Sequence, residues 1–191
     1  MKTKQGYRKV RKSHNIEGNA HELTFSCYCN RPFLKYDITR GFLIDSIIRA
    51  KALHKFDIWA YVIMPEHVHL LIWPKSEEYY IPKILQSIKQ SSAKKAISYL
   101  QHNKPGNMKW LYTGQENSPY RFWQDGGGYD RNVDSIEILF EIVDYIHMNP
   151  VKQGLVEEPL KWEWSSAKEW ESPGSGPIPV DRGSFPVLAK H

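Results

Sequence analysis

An almost unbroken apolar and aromatic run, Phe56 to Met64, enters Pro65-Glu66 and continues as His67-Val68-His69-Leu70-Leu71-Ile72-Trp73. The first stretch suits a central strand covered on both faces. The turn leaves so little chain that the second stretch must return antiparallel beside the first, as a hairpin. Alternate side chains of a strand share a face, so His67 and His69 point the same way, with Leu71 and Trp73 beyond them. Such a pair is either two ordinary polar-face residues or two imidazoles able to hold one metal. His-x-His alone is too short to decide.

The flanking sequence supplies partners for this hairpin. Ala20 to Tyr28 alternates around Leu23, Phe25 and Cys27 and reads as a first strand ended by Arg31-Pro32. From Asp37, a plausible N-cap, to Lys55, helical spacing links Leu43, Ile44, Ile47, Ile48 and Leu53. A second helix is expected over Tyr80 to Leu100, with Pro82 in its first turn and Ile81, Ile84, Leu85, Ile88 and Ile97 on one face. Its Lys83, Lys89, Lys94 and Lys95 form either a solvated face or a track for a phosphate backbone. The third helix, Asp134 to Asn149, opens on a capping-box-like Asp134/Glu137 pair. Its stripe is Ile136, Leu139, Phe140, Val143 and His147, and Pro150 is expected to end it. The fold class is therefore α/β (α+β), a central antiparallel sheet backed by helices. Trp162 to Trp170 reads as a short piece packing on the core.

Length and composition set the limits. At 191 residues the chain fits one ordinary domain, residues 20–171, with an arm at 1–19 and a Pro/Gly-rich tail at 172–191. The tail reads as a flexible segment followed by Phe185-Pro186-Val187-Leu188, which is expected to dock on the body. No apolar run is long enough to span a bilayer and no signal peptide is visible, so a cytoplasmic protein without a membrane partner is expected. Cys27 and Cys29 sit too close for a good disulfide, lack zinc spacing, and read as small apolar residues.

Net charge is +5, but Lys2, Lys4, Arg8, Lys9, Arg11 and Lys12 fall in the first twelve residues, leaving 20 basic against 21 acidic side chains elsewhere. Such an arm either contacts nucleic-acid phosphates or merely solubilises the chain. Met108 to Tyr129 is aromatic and polar, with Trp110, Tyr112, Tyr120, Phe122, Trp123 and Gln124 before Asp125-Gly126-Gly127-Gly128. Aromatics beside basic and amide groups suit base stacking, though edge strands favour aromatics too. The glycines lack the Walker spacing of a phosphate loop.

Tyr145 and Asn149 lie four residues apart and share a helix face, nearly opposite the Leu139/Val143 stripe. If that helix lies over the histidine strand, two imidazoles, an amide and a phenol form one site. Neutral histidines and an amide oxygen leave positions open on Mg²⁺ or Mn²⁺ for a phosphate oxygen. The phenol would then attack the phosphate. Because a phenol in water has a pKa of about 10, such a nucleophile needs a cation near it. Tyr145 is otherwise an ordinary core or surface tyrosine.

Five ordered stretches carry a family resemblance: Met64-Pro65-Glu66-His67-Val68-His69-Leu70-Leu71, Phe122-Trp123-Gln124, Tyr129-Asp130-Arg131, Tyr145-Ile146-His147-Met148-Asn149-Pro150-Val151-Lys152-Gln153-Gly154-Leu155-Val156 and Trp164-Ser165-Ser166-Ala167. Together they resemble the REP-associated tyrosine transposases, a branch of the single-tyrosine HUH transposases. The resemblance implies a ferredoxin/RRM-like HUH fold, His67 and His69 as metal ligands, and Tyr145 as nucleophile. Asn149 falls where simpler members carry a metal-binding glutamine. It further implies cleavage and rejoining of single-stranded DNA beside REP-like hairpins through a 5′-phosphotyrosine, in a prokaryotic, nucleoid-associated setting. Lys2, Lys4, Arg8, Lys9, Arg11, Lys12, Trp123, Gln124 and Arg131 are candidate DNA contacts. Glu66 departs from the family's usual Asn, and strand alternation would turn it away from the metal. The alternatives are a non-cleaving hairpin-binding protein and a metal-dependent hydrolase using water; monomer and homodimer both remain open.

Overall fold

A computed structural model describes residues 16–186. The basic residues of the arm, Lys2 to Lys12, and Val187-Leu188 of the tail lie outside them. Strand β1 (Ala20–Ser26), helix α1 (Asp37–His54), strands β2 (Phe56–Ile63) and β3 (His67–Pro74), helix α2 (Ile81–Asn103) and strand β4 (Tyr129–Val133) follow in that order. The sheet order is β2-β3-β1-β4 with every pair antiparallel. This is the split βαβ arrangement of ferredoxin-like domains. Helix α3 (Ile136–Lys152) and the short helix α4 (Ala167–Glu171) complete the described chain.

The sheet is covered on both faces, which explains why β2 is buried along its whole length. Leu23, Phe25, Val68, Leu70 and Ile72 face α1 and α2, where they meet Leu43, Ile47, Ile84 and Ile88. On the other face, Val62 and Leu71 meet Leu139, Ile142, Val143 and Ile146 of α3. The expected hairpin is present: Met64 N–H donates to His67 O at 2.8 Å across the Pro65-Glu66 turn. His67 and His69 share the α3 face with their cross-strand partners Ser26 and Thr24.

Several expectations change in detail. Asp37 is the first helical residue and α1 is entered from Tyr36, while Ile48 and Leu53 are exposed rather than part of the buried stripe. Ser135, not Asp134, caps α3, because its hydroxyl accepts from Ile138 N–H. Pro150 does not end α3; the helix runs on to Lys152. A proline lacks only one donor, and the buried Pro150 ring packs while Leu155 N–H uses its carbonyl. Strand β4 is absent from the sequence reading, since Tyr129-Asp130-Arg131-Asn132 has no apolar alternation.

The segment after α3 closes the outer edge of β2. Ile63 N–H donates to Trp164 O, and Ser166 N–H donates to Tyr61 O. The Trp162 and Trp170 indoles donate to the Ile63 and Trp59 carbonyls. Residues 172–186 then lie along the body. The buried Glu169 carboxylate accepts from Gly174 and Gly176 N–H, and Asp181 accepts from Ile58 N–H and pairs with Lys51 at 2.6 Å. Phe185 is buried against Trp59, Phe140 and Trp170, on the α3 face of the sheet.

Candidate active site

Helix α3 crosses the histidine strand, and this crossing gathers His67, His69, Tyr145 and Asn149. The His67 and His69 ring centroids are 4.9 Å apart, and the Tyr145 ring meets His69 edge-on at 5.4 Å. Tyr145 is 41% exposed whereas Asn149 is 5% exposed. The two are thus not both opposite the buried stripe. Ile142, Ile146 and Asn149 lie within the face that packs on the sheet, and Tyr145 stands at its margin. A stripe drawn through Ile136, Leu139, Phe140, Val143 and His147 placed that face too far round the helix.

Each imidazole is held by its Nδ1. His69 Nδ1 lies 2.8 Å from the Thr24 hydroxyl, its cross-strand neighbour. His67 Nδ1 lies 2.8 Å from the Glu66 carboxylate, which, when ionised, can only accept, so the ring N–H is the donor. This corrects the expectation that Glu66 faces away. Glu66 precedes β3 and sits in the turn, where strand alternation does not apply. The Glu66 contact leaves His67 Nε2 a lone-pair donor, as metal-binding histidines require, while the Thr24 hydroxyl can donate to or accept from His69.

Asn149 directs its amide nitrogen toward His69 Nε2 at 3.3 Å, and its Oδ1 is buried without a partner among the described residues. An unsatisfied buried acceptor costs about 1–3 kcal/mol. Rotation of the amide would present that oxygen, instead of the nitrogen, on the side of His69 Nε2. Burial, with His67 nearby, pushes the His69 pKa down to about 3, keeping the ring neutral. The donor set therefore fits a cation. Among the described residues no group of three or more His, Cys, Asp or Glu side chains could hold one, so the amide would be the third protein donor.

Beside His69 opens a cleft of about 480 Å³, lined by Glu22, Thr24, Tyr129, Arg131, Glu141 and Tyr145 among others. Arg131 reaches within 3.9 Å of Glu22, whose pKa is raised by burial against the opposing effect of Arg131. Lys152, two turns along α3 from Tyr145, places its ammonium 4.8 Å from the Tyr145 ring centroid. The sequence carries Lys152 seven residues after Tyr145, and helical spacing could have found it.

The remaining candidate contacts are scattered. Trp123 is buried against Phe25 and Phe122 and donates to Ser92 Oγ, so the core encloses it. Gln124 is exposed and accepts from Cys29 N–H at 3.3 Å. Lys89 is not free to follow a phosphate backbone, because it donates to the Gln124 and Gly126 carbonyls. Cys27 is buried as expected, with its thiol pKa pushed up, but Cys29 is exposed with φ of 55°.

Comparison with known proteins fixes the family. The profile described as "Transposase IS200 like" matches residues 19–126, which include both histidines. The chain is also 30% identical over 138 residues to a protein from Haemophilus influenzae named as a putative REP-associated tyrosine transposase, covering 68% of this chain and 73% of that one. The chain belongs to the IS200-like, REP-associated single-tyrosine HUH transposase family. A solved structure of a family protein, a REP-associated tyrosine transposase bound to a REP hairpin, shares the fold. Its TM-score is 0.66 at 21% identity, over 95% of this chain and 96% of that one. His67 and His69 stand on β3 of this ferredoxin-like sheet. No helix among the described residues is long and apolar enough to cross a membrane.

Burial of histidines in this family member has a consequence for pH. His147 lies against Ser166 Oγ at 2.8 Å, and burial pushes its pKa down to about 4. An unfolded histidine titrates near 6.5, so between about 6.5 and 4 the unfolded chain binds more protons. Stability is therefore expected to fall as pH drops through that window, by on the order of 2–3 kcal/mol for His147 alone. Urea unfolding of wild type and His147→Gln at pH 7.5 and 4.5 checks it; an equal pH dependence in both would refute the assignment.

Proposed function

We propose that the chain is a metal-dependent endonuclease that cuts and rejoins single-stranded DNA beside a hairpin, through a 5′-phosphotyrosine on Tyr145. The observation that carries this reading is the packing of Tyr145 against its own chain's His69. One copy then holds the nucleophile and the metal-facing nitrogens, so a monomer suffices for cleavage.

His67 Nε2, His69 Nε2 and Asn149 Oδ1 would hold Mg²⁺ or Mn²⁺, which supplies Lewis-acid polarisation of the scissile phosphate. Tyr145 Oη attacks the phosphorus, and the bond from phosphorus to the 3′ oxygen breaks. That oxygen leaves as a hydroxyl after taking a proton, while the 5′ phosphate stays on the tyrosine. Charge developing on the phenol is favoured by the Lys152 ammonium over its ring. The phosphodiester energy is retained, and attack by a 3′ hydroxyl reverses the step. Arg131, which lines the cleft, and the basic arm Lys2 to Lys12 would meet phosphates of the bound strand.

The test is incubation with Mn²⁺ or Mg²⁺ and labelled hairpin-flanked single-stranded DNA, followed by a denaturing gel. A slow-migrating species that needs metal, mapped by mass spectrometry to the peptide bearing Tyr145, is expected. Cut DNA without an adduct would identify a water-using hydrolase. Binding without cleavage across several hairpins would identify a binding-only protein.

Glu66 supplies a second test. It orients His67, and outer-shell partners of metal-binding histidines typically contribute roughly 10–100-fold in affinity. Titration calorimetry of Glu66→Gln with Mn²⁺ is expected to show roughly tenfold weaker binding, the lower end of that range. Unchanged affinity would leave the carboxylate without a role at the metal.

A further inference from the structure

Between the start of α1 and the end of α2, where Thr39 and Leu100 line it, lies a cavity of about 380 Å³, within the roughly 300–1,000 Å³ range of small-ligand pockets. Two exposed aromatic rings, Tyr36 (50%) and Trp110 (49%), stand at it, and Phe122 lines its interior. Arg31 and Lys35 are its charged residues, and no carboxylate lines it. Asn107, partly buried, adds an amide able to donate and accept.

Cations and rings alternate among the residues lining this opening and their neighbours Tyr28 and Lys109. Arg31 lies 6.0 Å from the Tyr28 ring and 5.3 Å from that of Trp110, and its guanidinium also donates to the Trp110 carbonyl. Lys109 lies 5.1 Å from the Trp110 ring, and Lys35 lies 5.0 Å from that of Tyr36. Exposed rings interleaved with cations are what a flexible polyanion bearing flat bases requires: stacking for the base, charge for the phosphate. An apolar peptide would use the rings but leave the cations uncompensated.

We propose that this cavity takes one unpaired base of the DNA strand, stacked on Trp110 or Tyr36, with the adjoining phosphate at Arg31 and Lys35. The proposal rests on the function stated above and names the part of the substrate that this surface reads. The pocket is joined to the catalytic turn through the backbone. Leu34 N–H donates to Pro65 O at 2.8 Å, and Cys27 N–H donates to Glu66 O at 2.7 Å. A base seated here positions its strand relative to the turn that delivers His67.

The experiment uses the full chain and two labelled DNAs: a hairpin with a single-stranded flank and the same hairpin blunt. 2-Aminopurine is walked through the flank. One flank position is expected to be quenched on binding, with quenching lost in Trp110→Ala and retained in Trp110→Phe. Trp110→Ala should weaken binding of the flanked hairpin roughly tenfold, while the blunt hairpin changes by less than about twofold. Lys35→Ala should lower the salt dependence of flanked-hairpin binding by about one ion. Equal weakening of both DNAs, no quenched position, or quenching indifferent to Trp110 overturns the pocket. Adduct formation on Tyr145, scored separately, tells that failure from failure of the nuclease reading: an adduct with Trp110 indifferent rejects the pocket alone, and absence of DNA binding rejects both.

Discussion

Tyr145→Phe is expected to abolish the covalent protein–DNA product and to lower cleavage at least roughly a thousandfold, with DNA affinity changed little. The substitution removes one oxygen from a half-exposed ring and leaves the edge contact with His69 in place. Among the described residues no hydrogen bond uses the phenol oxygen, so a loss of activity is not expected to come from unfolding. Parallel assays of hairpin binding and denaturing-gel adduct read the two quantities separately. Cleavage persisting in the variant at near wild-type rate would assign attack to water and make Tyr145 a structural residue.

Gly128→Val is expected to have the largest effect on the fold, destabilising it by on the order of 3 kcal/mol or more. Gly128 has φ of +79°, a region that β-branched residues avoid. A Cβ there would also overlap the Thr24 carbonyl oxygen and crowd Phe25 Cβ at 3.2 Å. Relief requires β1 and β4 to separate where Thr24 pairs with Tyr129, and the same Thr24 holds His69. Reduced stability should therefore be accompanied by weaker Mn²⁺ binding. Gly127→Ala is the control, since its φ is not in the left-handed region and nothing lies within 4 Å of the added atom. Urea midpoints of the two variants decide the matter; equal midpoints would show that β4 yields without cost.

The hairpin from Phe56 to Trp73 was legible because apolar runs joined by a two-residue turn permit only one pairing. Helices α1 and α2 followed from periodicity. Strand β4 was not legible, because an edge strand pairs through its backbone and tolerates polar side chains. Thr24 drew no notice as a support for His69, since only the β1–β3 register reveals which residue faces the imidazole. Trp123 shows the opposite failure. Composition marks an aromatic as a stacking candidate, but only packing shows that Trp123 is enclosed while Trp110 is open. Glu66 escaped because strand alternation does not hold before the strand begins, and Asn149 because the stripe through Ile136, Leu139, Phe140, Val143 and His147 is not the face that packs on the sheet.

The covering of β2 by residues 164–166 bears on how the chain behaves in a crowded solution. An uncovered edge on a fully buried, largely apolar strand is a template for unrelated chains and for misfolded copies of this one. Here the template is occupied by the chain's own later residues, and the opposite edge, β4, is short and carries Asp130 and Arg131. During synthesis the β2 edge stays open until the ribosome has delivered about a hundred further residues, because Trp164 follows Ile63 at that distance. The vulnerable interval is thus set by chain order, and it closes only once the helix bearing Tyr145 has already been made.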